Sequence, residues 1–167
     1  ADGRYVVATT QILGNGARDG VLIAVKDDAT PDNGFGASGS ARTSALATEW
    51  DAFDALGVDR LGRLVVAGVH RDPNADVPQD RLLMARFDTS GEPDLSLGGT
   101  GWTVADVPGA TGFGLDIISG EVDGKGRPVV AFSQGTATND LWRVARLTTG
   151  GALDSAFSAD GVTTVDF

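Results

Sequence analysis

Apolar residues in this chain come in short bursts bounded by polar, glycine-bearing turns, and the bursts recur. The clearest spans residues 59–68, D-R-L-G-R-L-V-V-A-G. Near the start the chain reads Asp2-Gly3-Arg4-Tyr5-Val6-Val7-Ala8, and further on Asp123-Gly124-Lys125-Gly126-Arg127-Pro128-Val129-Val130-Ala131. Each is a polar glycine turn, an arginine, one further residue and then Val-Val-Ala, which predicts a tight turn feeding a short β-strand. Residues 64–68 are apolar on both sides of the pleat, as a strand covered on both faces requires. Residues 82–87 put Leu83, Ala85 and Phe87 on one face and Leu82, Met84 and Arg86 on the other. That places Arg86, and Arg146 in the matching segment, at a sheet edge or opposite a carboxylate. Apolar positions do not recur at helical spacing over a useful length. Residues 44–56 come nearest to a short helix, against the logic of the repeat.

The recurrence has a period. Ala8, Ala67 and Ala131 in the Val-Val-Ala strand are 59 and 64 residues apart. A second strand aligns on Ala24, Ala85 and Ala145, 61 and 60 apart, with Asp19, Asp80 and Asp140 opening it. Asp32, Asp94 and Asp154 each begin an Asp-x-x-apolar element ending in Phe35, Leu97 or Phe157. Gly39, Gly101 and Gly161 follow, 62 and 60 apart, each leading a further strand. A fourth strand, 53–58, matches 115–122 with Asp54 against Asp116. Anchors holding one period across three copies predict an all-β fold of three roughly 60-residue repeats, each of about four short antiparallel strands. The expectation is one repeat domain over 1–167, with units of about 1–46, 47–107 and 108–167. The phase of the repeats suggests part of a longer protein or of an oligomeric ring.

Composition narrows the class. The 167 residues hold 24 Gly and carry a net charge of −10. Phosphate repels such a surface and no basic run opposes it, so neither nucleic acid nor anionic lipid is an expected partner. No cysteine is present, which removes disulfides and thiolate metal sites. No apolar run is long enough to span a bilayer, so membrane insertion is not expected.

At the shared residues the chain resembles the delta-60 repeat family of bacterial secreted and surface proteins. The third copy carries the likeness best, in Ala145-Arg146-Leu147, in Leu153-Asp154-Ser155-Ala156-Phe157 and in the run from Gly161 through Val162, Thr163 and Thr164 to Phe167. The resemblance implies propeller-like blades, a secreted or cell-surface location and no common catalytic residues. Propellers close with about four to eight blades. Three units therefore predict either two chains completing a six-bladed ring or an open stack of repeats.

Candidate chemistry is sparse. Asp72, Asn74, Asp76 and Asp80 place oxygen donors at positions 1, 3, 5 and 9 of one loop, the manner in which calcium loops gather ligands. A glycine after the third ligand and a closing glutamate are both missing, and a solvated turn is the plainer reading. Asp32, Asp94 and Asp154 read as turn aspartates that bond the amides just after them. Arg4, Arg63 and Arg127 occupy equivalent places and are expected to face a carboxylate such as Asp54 or Asp116. Trp50, Trp102 and Trp142 do not match between copies; an exposed one would offer a surface for a sugar ring. His70 is the only histidine and has no nucleophile-elbow motif nearby. The reading is a non-catalytic scaffold that self-associates or presents a binding platform to a glycan or protein ligand. The alternatives are a calcium-dependent or carbohydrate-binding lectin-like propeller and a hydrolase using loop carboxylates.

Overall fold

The computed structural model describes residues 3–43, 50–72, 79–110, 112, 114–135 and 140–165. Among them the chain is all-β, with eleven strands in two sheets and no helix. In order these are β1 (Arg4–Ile12), β2 (Arg18–Lys26), β3 (Ser40–Arg42), β4 (Trp50–Val58), β5 (Leu64–Arg71), β6 (Asp80–Phe87), β7 (Trp102–Ala105), β8 (Leu115–Val122), β9 (Pro128–Gly135), β10 (Asp140–Arg146) and β11 (Val162–Val165). The first sheet holds β1–β7, but its two halves meet through a single parallel pair, Arg18 with Trp50. The strands thus form three antiparallel groups: β1–β3, β4–β7 and β8–β11.

The groups share backbone details. A five-residue turn follows β2, β6 and β10, closed by bonds from Lys26 N–H to Thr30 O, Asp88 N–H to Glu92 O and Thr148 N–H to Ala152 O. Its fourth residue is left-handed in every case: Ala29 (φ 62°), Gly91 (φ 87°) and Gly151 (φ 83°). The aspartate loop comes next. The amides of Asp32, Asp94 and Asp154 bond to the carbonyls of Ala24, Arg86 and Arg146, whose own amides bond to Gly39, Gly101 and Gly161. These bonds set the true register. Ala24 corresponds to Arg86 and Arg146, one residue away from the alignment with Ala85 and Ala145 that the sequence suggests. Counted from the partner strands, Asp54 matches Ile118 and Asp116 matches Ala52, two residues from the expected alignment. Both inner strands carry a bulge there, between Phe53 and Ala55 and between Ile117 and Ser119. A bulge adds one unpaired residue that the alternation of side chains does not reveal.

Two apolar clusters hold the groups together. Leu22, Ala24, Phe35 and Ala41 pack against Leu64, Val66, Leu83, Ala85 and Phe87. Val65, Ala67, Leu82 and Met84 on the opposite side of β5 and β6, with Leu97 from the loop after β6, pack against Val130, Phe132, Ala145, Leu147 and Val162. Residues Leu64 to Gly68 are therefore buried on both faces, as their sequence demands. Phe53 and Phe87 meet edge to face with ring centroids 6.1 Å apart.

Where one group's turn docks on the next, space decides the residue. A Cβ on Gly91 would lie 2.9 Å from both the Phe35 ring and the Gly36 amide nitrogen. Gly91→Ala combines that overlap with a left-handed backbone and should cost about 2 kcal/mol. Gly16 has φ 85° but open space around its Cβ position. Gly16→Ala should therefore cost only the backbone term, about 1 kcal/mol. Urea unfolding midpoints of the two variants check the difference.

Candidate binding cleft and the arginine–aspartate clamps

The recurrent arginines and aspartates meet each other. The Asp94 side chain accepts from Arg63 Nη1 at 2.9 Å and Arg86 Nε at 2.7 Å, while its other oxygen accepts from the amide and hydroxyl of Ser96. Asp154 repeats this with Arg127 at 3.1 Å, Arg146 at 2.7 Å and the amide of Ala156. Asp32 pairs with Arg4 at 2.9 Å and accepts from the Gly34 amide. Arg63 and Arg127 are held a second time, by Asp59 and Asp123 in the preceding turn. These arginines therefore face the loop aspartates, and not Asp54 or Asp116. The Ser96 hydroxyl, then its amide and Arg86, hold the Asp94 carboxyl far below the usual carboxylate range, against the opposing effect of burial. Arg127 holds Asp123 down to about 2.

A cleft of ≈ 380 Å³ opens where β4 approaches β8 beside β1. One row of residues crosses four strands, Arg18, Trp50, Arg71 and Asp80 side by side on β2, β4, β5 and β6, and the first three of them line the cleft. The guanidinium of Arg18 lies 4.9 Å from the Trp50 ring centroid and that of Arg71 lies 5.1 Å away, from the strands on either side. Trp50 is thereby engaged by cations from both neighbouring strands. Trp102 packs on His70 at 5.8 Å, and Trp142 is exposed. The composition of the row was invisible in the sequence, because it depends on pairing across loops. Its only hint was the hairpin spacing of Arg71 and Asp80.

Of the proposed calcium ligands, Asn74 and Asp76 lie outside the described residues, and Asp72 stands just after β5. Asp80 is buried and its oxygens are taken: Arg71 donates Nε at 2.6 Å and Nη2 at 2.8 Å, and the amides of Gly114 and Leu115 donate at 2.8 and 3.0 Å. Burial raises the Asp80 carboxyl, but Arg71 and these amides outweigh it and the net direction is down. Its built role is to tie β6 to the start of β8. Among the described residues no group of three or more acids and histidines is placed to hold a metal.

His70 Nδ1 lies 2.7 Å from Asp51, and the hydroxyl of Thr43 donates to the other Asp51 oxygen at 3.1 Å. The carboxylate stands between hydroxyl and imidazole, whereas a nucleophilic triad needs the imidazole in the middle. All three side chains are buried, so the group ties β4 to β5 and to the segment after β3.

Asp54 and Asp116 both line the cleft. Asp54 keeps solvent access, yet the cleft walls displace much of the water around it. That desolvation first, and the nearby Asp116 charge second, push its carboxyl up to about 6. No protein-family model matches this chain, and the comparison with curated proteins finds no match.

Two outcomes follow from these environments. A carboxyl raised in the folded state favours folding fully below its unfolded value, near 4, and loses that contribution as pH rises through about 6. Asp54→Asn should therefore be more stable than the parent at pH 7–8, by no more than about 1 kcal/mol given solvent screening. The difference should vanish at about pH 4, and thermal midpoints across that range check it. Asp94→Ala leaves Arg86, only 5 % exposed, without its carboxylate. It should cost about 3 kcal/mol in urea unfolding at pH 7.

Proposed function

We propose that the chain is a non-catalytic β-repeat module of the delta-60 type, secreted or displayed on a bacterial surface. Its three groups act as successive propeller-like units of about 60 residues. It works as a scaffold, associating with further units of its own kind and presenting the cleft to a ligand. One observation carries this reading: the recurring charged residues are spent on one another in the clamps, while Tyr5, Val7 and Ile23 of the first group and Trp142 of the third remain exposed. A protein whose repeated arginines and loop aspartates bond one another has put that part of its pattern into building. A cleft lined by Asp54, Asp116 and an Arg–Trp–Arg row is the place where a polar ligand would sit.

Light scattering over a range of concentrations tests the reading. Mass should rise above that of one chain as concentration increases into the hundreds of micromolar, and chelator should leave it unchanged. A single chain at every concentration would overturn self-association. A mass or stability that falls only on chelation would favour the calcium-dependent alternative.

A further inference from the structure

The three groups are stacked face to face, and what differs between them is what covers each face. Call the front of a group the side that β4–β7 turns toward β1–β3, and the back the side it turns toward β8–β11. On the front of the middle group Leu64 is 7 % exposed, and Val66 and Ala85 are 0 % exposed. The corresponding residues of the first group are Tyr5, Val7 and Ile23, and they are 62, 54 and 42 % exposed. On the back of the middle group Leu82, Met84, Arg86 and Leu97 are all buried. Their counterparts in the third group are Trp142, Val144, Arg146 and Phe157; Trp142 is 46 % exposed and the others are half-buried. β9 shows the same asymmetry along its length, with Pro128, Val130, Phe132 and Gln134 buried and the residues between them not.

The two junctions already made show how such faces meet. In each, the five-residue turn of one group docks on the back of the group before it. The carbonyl of Ser90 accepts from the Gly36 amide at 2.7 Å, and Thr89 O accepts from Arg4 Nη1 at 2.8 Å. At the second junction Thr149 O, the counterpart of Thr89 O, accepts from Arg86 Nη1 at 3.0 Å. The left-handed glycine of the turn touches the socket, Gly91 against Phe35 and Gly151 against Thr103 and Met84. The first group carries a turn of the same bonding pattern at 26–30, with Asp27 and Asp28 at its tip. The third group carries a socket of the same kind, in which Phe157, Thr163 and Val144 stand where Leu97, Thr103 and Met84 stand in the filled one. Arg146, which shares the Asp154 carboxylate with Arg127, flanks it at the place from which Arg86 donates to the Thr149 carbonyl in the filled junction.

We infer that these are the two halves of one contact: the front of β1–β3 in one copy of this chain seats on the back of β8–β11 in another, head to tail, and Ala29 holds the contact weak. This rests on the scaffold reading above and names its surface. The occupant is a second copy because one chain carries both partners: an apolar front exposed at Tyr5, Val7 and Ile23 beside a turn of the docking type, and a half-buried back at Val144 and Phe157 with Trp142 exposed, built like the sockets already filled. Ala29 sets the strength. It alone among the three left-handed turn residues carries a methyl group, at the position where a Cβ on Gly91 or Gly151 would collide with the socket. In an exposed turn the methyl is tolerated; in the seated turn it must displace Thr163 or the Phe157 ring. A head-to-tail contact closes into a ring of two chains if its rotation permits, and otherwise grows as an open chain.

Sedimentation equilibrium on the full chain tests this with substitutions at exposed positions. Ala29→Gly should tighten association at least tenfold. Val7→Lys on the front and Thr163→Lys on the back, each added to Ala29→Gly, should return the chain to single-chain mass with an unchanged unfolding midpoint. Mixing those two blocked variants should restore 1:1 pairs, because each retains the face that the other has lost. The inference is overturned if Ala29→Gly associates no more tightly than the parent, or if the blocked variants still associate alone or fail to pair when mixed. Parent association that survives both lysines would leave the scaffold reading standing and sink this surface. Single chains throughout, Ala29→Gly included, would sink both.

Discussion

A β-sheet whose side chains are apolar on both faces must be covered on both, and this structure is organised by that requirement. Only β4–β7 meets it, lying between β1–β3 on one side and β8–β11 on the other. Burying a large aliphatic or aromatic side chain contributes roughly 1.5–3 kcal/mol. The middle group is therefore where most of the stability is concentrated, and the outer groups depend on it. Tyr5, Val7 and Ile23 show what the same strand pattern looks like with nothing above it.

Charge does the complementary work of fixing how the groups sit. A loop aspartate between two arginines holds strand, turn and loop in one register, and Arg86 and Arg4 reach on to a carbonyl of the next turn. Such partly buried, charge-assisted bonds specify geometry more than they add net stability. The first group is the informative exception. Ala24 replaces the second arginine, and Arg4 alone both pairs with Asp32 and reaches Thr89. The cleft lies apart from these clamps, at the ends of the inner strands. Its raised Asp54 carboxyl is a consequence of crowding two acids into a concave wall.

Much of the strand content was legible in advance, because short apolar bursts between glycine turns have few other solutions. The double-sided burial of Leu64 to Gly68 could be read from its unbroken apolar run, and the roles of Asp94 and Asp154 from their place in a turn. Registers were harder. In the sequence Ala24 aligns with Ala85 because alanine fits either face, and the arginine that marks the position elsewhere is missing from the first group. Asp54 aligns with Asp116 because a slip of two residues leaves every side chain on its original face. The Arg18–Trp50–Arg71–Asp80 row was not legible at all, since it assembles residues from four strands whose pairing the sequence does not state. Nor was the exposure of Val7, whose own residues match those of a buried strand; exposure depends on what lies above it.

Pairing of the two outer faces is tested most simply by amide chemical shifts followed by NMR on dilution. Dilution should move β1, the 26–30 turn, β10 and β11 together, along one binding curve, and leave the β4–β7 amides in place. Changes confined to the cleft residues, or to one outer face without the other, would contradict it.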